Sequence, residues 1–460
     1  MKPSSSRSDP PTRGLFDGIL ARGRVHEATD DAAWLQAMLD FEAGLARAEA
    51  RLGLVPAAEA DAIVRVCHAE SFSVAALGRD AAGPANPAVP LVAALRALLD
   101  EPAASYVHFG ATSQDVLDTA AMLVAWRALA PILHDLAGAA DAAALLAERH
   151  RRSVMPARTL LQHALPTTFG LEAAGWLGGL DAASATLSRV RSTRLAVQFG
   201  GAAGTLAALG SGGDAVVLAL AQELGLAAPT GPWHTDRTRI GELAGALGVA
   251  AGAIGKVALD IILFAQTEVA EVREGGPGRG RSSTLPHKRN PTAAIAALAS
   301  ARRAPGLVGT LLSIMPQEHQ RGAGGWHAEW LALRDLLVTC GSAAAWLRDS
   351  LENLEVDADR MRANVDITNG AILAERIALE LSPILGRSAA QQLVSEAGEE
   401  AGTTGHTLLE VVAARAEVQA TFTPARLEVL ADPDGYLGSA DAFISAALEA
   451  HAGARTPAGR

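Results

Sequence analysis

The sequence predicts an all-α protein built from several helical domains. Three observations carry that prediction. Apolar residues recur with helical period over long stretches, and alternating β-branched patterns are nearly absent. Ala, Leu and Gly dominate, while aromatic residues make up only 4%. Small side chains let helix backbones approach closely, so this composition favours packed helices. With 460 residues and 49% hydrophobic content, the chain can bury a large core and divide into two or three domains.

Taken in order, Met1 to Gly14 are polar and rich in Pro and Ser. They lack the apolar core of a signal peptide and are expected to form a disordered tail. A first helical domain is expected over 15–104. In it, Asp31 to Leu52 carry a helical stripe of Trp34, Met38, Leu39, Phe41, Leu45 and Ala48. A breaker-rich stretch with Gly83, Pro84, Asn86, Pro87 and Pro90 interrupts this domain. A central long-helix domain is expected over 105–352. Its helical patterns cover Asp115–Arg151, Pro166–Arg194, Arg239–Val272, Pro291–Ser313 and Glu329–Leu354. The Arg239–Val272 run contains no proline and would make roughly 50 Å of helix at about 1.5 Å per residue. It has too few polar residues for a solvated helix, so the interior of a multi-subunit bundle suits it. The remainder, 353–460, has breaks at Pro383, Gly386, Gly405, Pro424 and Pro433 and reads as a third helical domain.

The net charge of −11 argues against nonspecific nucleic-acid binding, so any anion site must be a local cationic feature. Cys67 and Cys340 lie far apart in apolar helical contexts, which favours two buried free thiols and a reducing compartment. No apolar run is read as reaching the ~18 residues of a membrane span, and a cytoplasmic protein is expected.

The densest chemistry lies at Gly280-Arg281-Ser282-Ser283-Thr284-Leu285-Pro286-His287-Lys288-Arg289-Asn290-Pro291. Glycines lead into it, so it starts as a mobile loop. Lys288 and Arg289 can hold a carboxylate. Ser282 or Ser283 can move a proton only if cations and backbone donors stabilise an alkoxide. A solvated basic loop is the plain alternative. A second segment, Tyr106–Asp115, gathers His108, Thr112 and Ser113 before a helix start near Asp115. Hydroxyls there suit a carboxylate ligand or simply cap the helix. A third, Arg158–Pro166, contains Arg158, Thr159, Gln162 and His163; a lone helical His is otherwise a core residue. Downstream, Gln317-Glu318-His319-Gln320-Arg321 precedes Trp326-His327-Ala328-Glu329-Trp330, where Glu318 and His319 are equally readable as a structural pair. Gln198–Thr205 has neither a preceding strand nor a Walker lysine, so it is not read as a phosphate loop. There is no H-E-x-x-H and no paired Cys, so no metal site is expected.

The Gly280–Pro291 segment resembles the signature loop of the fumarase/aspartase superfamily, G-S-S-x-M-P-x-K-x-N-P, with Arg281 and Leu285 departing from it. His108–Asp115 and Arg158–Pro166 resemble the superfamily's other conserved regions. Many members place a general-acid His where this chain has Leu160, so that role does not carry over. The R-T-x-L-Q-H-A form, Gln198–Thr205, Trp233–Arg237 and Gln317–Trp330 together resemble the bacterial 3-carboxy-cis,cis-muconate cycloisomerases, which commonly have Trp at the Leu160 position. The resemblance runs from about Leu15 to about Leu437.

It implies an all-α, three-domain subunit and a homotetramer whose active sites are shared between subunits. It also implies proton transfer α to a carboxylate, coupled to bond formation at the β carbon, without metal, nucleotide or flavin. By analogy Ser282 transfers the proton, Lys288 stabilises charge and His163 is a candidate acid. His108, Thr112, Ser113, Arg158, Thr159, Gln162, Ser283, Asn290 and Arg321 hold a small di- or tricarboxylate. A β-eliminating lyase releasing fumarate from an amino- or nitrosuccinate is the second reading, and a non-catalytic structural homologue the third.

Overall fold

A computed structural model describes residues 14–276 and 279–455 of the chain. All of the expected tail except Gly14 lies outside the described residues. The helical class is observed. The long helices are α1 (Asp31–Arg51), α2 (Ser113–Arg149), α3 (Phe169–Thr193), α4 (Thr238–Phe264), α5 (Thr292–Ser313) and α6 (Gly325–Glu352). The C-terminal part adds shorter helices, among them α7 (Ala374–Leu385), α8 (Arg387–Thr404) and α9 (Ala440–Arg455).

The chain groups into two compact units. One comprises Met1–Ala137, Ala182–Gly255 and Ala296–Leu347; the other comprises Gly138–Asp181, Lys256–Ile295 and Arg348–Arg460.

In the first unit, Asp30 caps α1 by accepting the Ala33 N–H at 2.8 Å. Met38, Leu39, Phe41, Leu45 and Ala48 of the α1 stripe are buried, Trp34 is half-buried, and Phe41 meets Phe199 at 6.4 Å between ring centres. Two acids, Glu42 and Glu49, are buried on this helix as well. Cys67 and Cys340 are buried free thiols, as expected, and burial pushes both up to about 12.

In the second unit, Val365, Ile377, Leu381, Val394, Leu408 and Val412 form a core under the C-terminal helices. Phe169 packs edge-on against Trp176, with centroids 5.5 Å apart, and lies 6.3 Å from Phe264.

Two expectations about helices are corrected here. Residues Val154–Thr159 (β1) and Gln162–Thr168 (β2) form an antiparallel hairpin, so Pro166 lies in a strand and α3 starts only at Phe169. Pro156 stands opposite Pro166 beside a bulge, which places two residues without an N–H where no ladder bond is needed. His163 is accordingly a strand residue, not a helical one. The helix expected to reach Val272 ends at Phe264. There the Glu271 N–H turns back to the Phe264 carbonyl, and Val272–Glu274 (β3) pairs with Leu354–Val356 (β4). Cross-strand pairing overrides local helical period at both places.

By length and composition α2 and α4 are each long and apolar enough to cross a membrane, a test that the core helix of a soluble protein also passes. Most of that stretch of α2 is buried within the chain, whereas α4 leaves Val249 57% exposed.

Candidate functional site

The candidate residues fall into one group in each unit. In the first unit, the turn before α2 holds His108 at φ +65° and Gly110 at φ +70°. A Cβ at Gly110 would meet Leu209 at 2.9 Å, so glycine is required there. Nδ1 of His108 lies 2.7 Å from Oε1 of buried Glu42. Burial pulls the imidazole down, but the Glu42 carboxylate and its hydrogen bond outweigh it, and the net shift of His108 is upward.

Thr112 and Ser113 stand at the start of α2, with Asp115 one turn in. The Asp115 carboxylate accepts N–H bonds from Thr112 at 3.1 Å, Gly200 at 3.0 Å and Gly201 at 2.9 Å, and meets His234 Nε2 at 2.7 Å. One buried carboxylate thus ties the Thr112 turn to the Gly200–Gly201 segment and to His234. The glycines are steric necessities: a Cβ at Gly200 would meet His234 at 2.7 Å, and one at Gly201 the Gly110 carbonyl at 2.8 Å. The Gln198–Thr205 segment is therefore a scaffold.

Below it, Arg237 is bracketed by Asp118 at 2.9 and 3.0 Å and by Glu329 at 2.8 and 2.5 Å. Trp326 and Gln317 complete this buried network. Arg321 donates to the Gly201 carbonyl at 2.8 Å, and burial lowers its guanidinium.

In the second unit the β1–β2 hairpin carries Arg158, Thr159, Gln162 and His163, with Arg158 opposite His163 and Thr159 opposite Gln162. Its tip is Leu160–Leu161, at φ +49° and +65° and 97% and 73% exposed. This turn normally selects Asn-Gly, so two leucines here are strained and gave no turn signal in the sequence. Arg158 makes a bidentate pair with buried Glu271, at 2.6 and 2.9 Å, and Asn364 donates to the same carboxylate at 2.8 Å. His163 has a buried Nδ1 without a partner among the described residues. Burial first, then Arg158, holds its imidazole below the usual range, so it stays neutral at pH 7.

The signature loop leaves β3 and returns to α5. Glu274 anchors it by accepting the Ala293 and Ala294 N–H bonds at 2.9 and 2.8 Å and the Ser350 hydroxyl at 2.7 Å. Its neck is closed between Gly280 and Asn290. The Asn290 N–H donates to the Gly280 carbonyl at 2.9 Å, and its side-chain amide adds a bond at 3.2 Å. Gly280, at φ +60°, cannot carry a Cβ, which would lie 2.1 Å from the Asn290 carbonyl oxygen. Beyond the neck Arg281 pairs with Arg289 as an antiparallel bridge. Oγ of Ser282 accepts backbone N–H bonds from Thr284 at 3.3 Å and Leu285 at 3.1 Å. Among the described residues Arg281, Lys288 and Arg289 have no acidic partner. Ser283 is exposed. His287, Lys288, Arg289 and Asn290 line a cavity of about 950 Å³ together with Arg273, Asp357 and Asp359. No hydrogen bond joins this loop to the hairpin among the described residues.

Sequence reasoning did not single out Glu42, Asp115 or Glu271. Asp115 stood in a quoted motif. Glu42 had a signal too: Met38, Glu42, Leu45 and Glu49 share one helical face, so acids interrupt an apolar stripe.

A lyase family model matches residues 20–306, and a model for the adenylosuccinate lyase C-terminus matches 370–447. The chain is 47% identical to a 3-carboxy-cis,cis-muconate cycloisomerase of Bradyrhizobium diazoefficiens, over 95% of this chain and 97% of that one. It is 45% identical to a nitrosuccinate lyase of Streptomyces davaonensis, over 95% and 94%. The crystal structure of 3-carboxy-cis,cis-muconate lactonizing enzyme from Pseudomonas putida superposes with a TM-score of 0.91 at 42% identity, covering 96% of this chain and all of that one. With end-to-end similarity at this level and the same helical architecture, the chain belongs to the lyase family of the fumarase/aspartase superfamily.

Proposed function

We propose that the chain is a 3-carboxy-cis,cis-muconate cycloisomerase of protocatechuate breakdown. The observation that carries this reading is the environment of Ser282. Its oxygen receives two backbone N–H bonds inside a loop whose Arg281, Lys288 and Arg289 lack acidic partners among the described residues. Such a loop suits a tricarboxylate and the alkoxide of a serine that has given up its proton.

In the lactonising direction, one substrate carboxylate adds to the β carbon, and electron density moves onto the α carbon and its carboxylate. Lys288, Asn290, Thr112, Ser113 and Thr159 hold that charge. Ser282 delivers a proton to the α carbon, with His163 as a second candidate acid. His108, Arg158, Gln162, Ser283 and Arg321 fix the remaining carboxylates. The subunit has helical domains over 15–104, 105–352 and 353–460. It works as a cytoplasmic homotetramer with active sites shared between subunits; the uncovered apolar surface of α4 supports association.

β-Elimination from a nitrosuccinate, the substrate named for the Streptomyces davaonensis relative, uses the same carbanion chemistry and is less favoured. The non-catalytic reading is not favoured, since Ser282, Lys288 and Asn290 are all present. The test is an ultraviolet assay with 3-carboxy-cis,cis-muconate beside a panel of substituted succinates. Rapid loss of diene absorbance is expected. No loss, with fumarate released from one succinate, would replace this reading by the eliminating lyase.

A further inference from the structure

Two carboxylates are buried two turns apart on the apolar face of α1. Glu42 is 2% exposed and Glu49 1% exposed. Burying one unpaired carboxylate is expensive, and burying two on one face has no structural benefit. The two differ in state. Among the described residues Glu49 has no hydrogen-bond partner on either oxygen, and burial, then Glu42, pushes its carboxyl up to about 9, so it stays neutral at pH 7. Glu42 has one hydrogen bond among the described residues, at 2.7 Å to Nδ1 of His108, and its second oxygen is unpartnered. The hydrogen bond of Glu42 is thus spent on His108, while its charge also bears on Glu49.

The backbone supports the same reading. His108 is held at φ +65°, a conformation a residue with a Cβ adopts at a cost, and strain of this kind gathers at working sites. Arg96 fixes the turn from outside by donating to the Val107 carbonyl at 3.0 Å. The charges facing the imidazole are Glu42 from α1, Asp115 from α2 and Arg96 from the helix Ala88–Ala97. Two negative groups against one positive favour the imidazolium.

We propose that Glu42 is a positioning residue of the reaction: it grips Nδ1 of His108 and so presents the Nε2–H of a cationic imidazole to a substrate carboxylate. With Nδ1 engaged, only Nε2 is free for a ligand, and only the cation carries a proton there while Nδ1 also donates to Glu42. Glu49 stays protonated, so that a second buried negative charge does not compete for the same imidazole. This inference rests on the cycloisomerase reading for the identity of the substrate, but its test does not need turnover.

The experiment is calorimetric binding of propane-1,2,3-tricarboxylate to the full-length protein across pH, beside steady-state kinetics on the muconate. In the native protein, binding weakens as pH rises through the titration of His108. Glu42→Gln is expected to move that midpoint down by about one pH unit. It should raise KM about tenfold while kcat changes less than about threefold, because a ground-state carboxylate contact is weakened. Glu42→Asp should restore part of both effects, and Glu49→Gln should leave both unchanged. An unshifted binding midpoint and unaltered KM in correctly folded Glu42→Gln would overturn the assignment. If that variant does not fold, His108→Gln decides: tricarboxylate affinity unchanged from the native protein overturns the inference, and a loss of its pH dependence sustains it. Failure of the native protein to turn over the muconate, with the binding midpoint still shifted by Glu42→Gln, would sink the cycloisomerase reading and leave this one standing.

Discussion

Nε2 of His234 meets Oδ1 of Asp115 at 2.7 Å, and both side chains are buried. The same carboxylate satisfies three backbone N–H groups from two separate segments. With the Gln198 amide at 3.5 Å as a further donor, this carboxylate is well solvated by protein. An amide at the same place would turn one oxygen into a donor facing other donors. Asp115→Asn is therefore expected to destabilise the protein by about 3 kcal/mol, measured as a lower denaturant midpoint with unchanged slope. An unshifted midpoint would mean that the Thr112 turn and the Gly200–Gly201 segment hold together without this acid.

Ser282 and Lys288 are expected to share one chemical step. Ser282→Ala removes the proposed proton carrier, and Lys288→Met removes one of the loop's charges while keeping a long unbranched side chain. Each should cut turnover by roughly three orders of magnitude or more, with assembly by light scattering intact. Near-native turnover in either variant would take that residue out of the mechanism.

His163 is neutral at pH 7, because burial and then Arg158 hold its imidazole below its ordinary range. Its Nδ1, without a partner among the described residues, leaves a ring nitrogen uncommitted. If it delivers or relays a proton, His163→Phe should lower kcat by about 100-fold. A loss under threefold, with the hairpin still folded, would reduce it to packing.

Glu49 gives a prediction about stability. Burial, then Glu42, pushes its folded carboxyl up to about 9 from an ordinary 4.5, so between these values the folded state holds a proton that the unfolded chain has released. The stability tied to neutral Glu49 is full below pH 4.5 and is lost as pH rises through about 9. At pH 7, about 2.5 pH units above 4.5 and still below 9, that protonation costs folding about 3 kcal/mol. Glu49→Gln should therefore stabilise the protein near neutrality by about that amount and flatten the decline of stability from pH 5 to 9. Equal pH slopes in native and variant protein would show that Glu49 ionises freely.

Much of this architecture was legible in the chain. Helical period located α1, α2, α5 and α6 because a buried stripe every three to four residues is a local property. The order of the conserved segments located the loop, the turn before α2 and the Arg158–Pro166 region. Only the tertiary structure decided that Arg158–His163 is the tip of a hairpin, since Leu160 and Leu161 carry no turn chemistry and their left-handed backbone is imposed from outside. Likewise, only folding shows that Arg158 answers to Glu271 across 113 positions, His234 to Asp115 across 119 and His108 to Glu42 across 66. The sequence by itself determined which side chains with chemistry are present and in which helical context. Their charge states depend on burial and on partners far along the chain, and those are properties of the packed molecule.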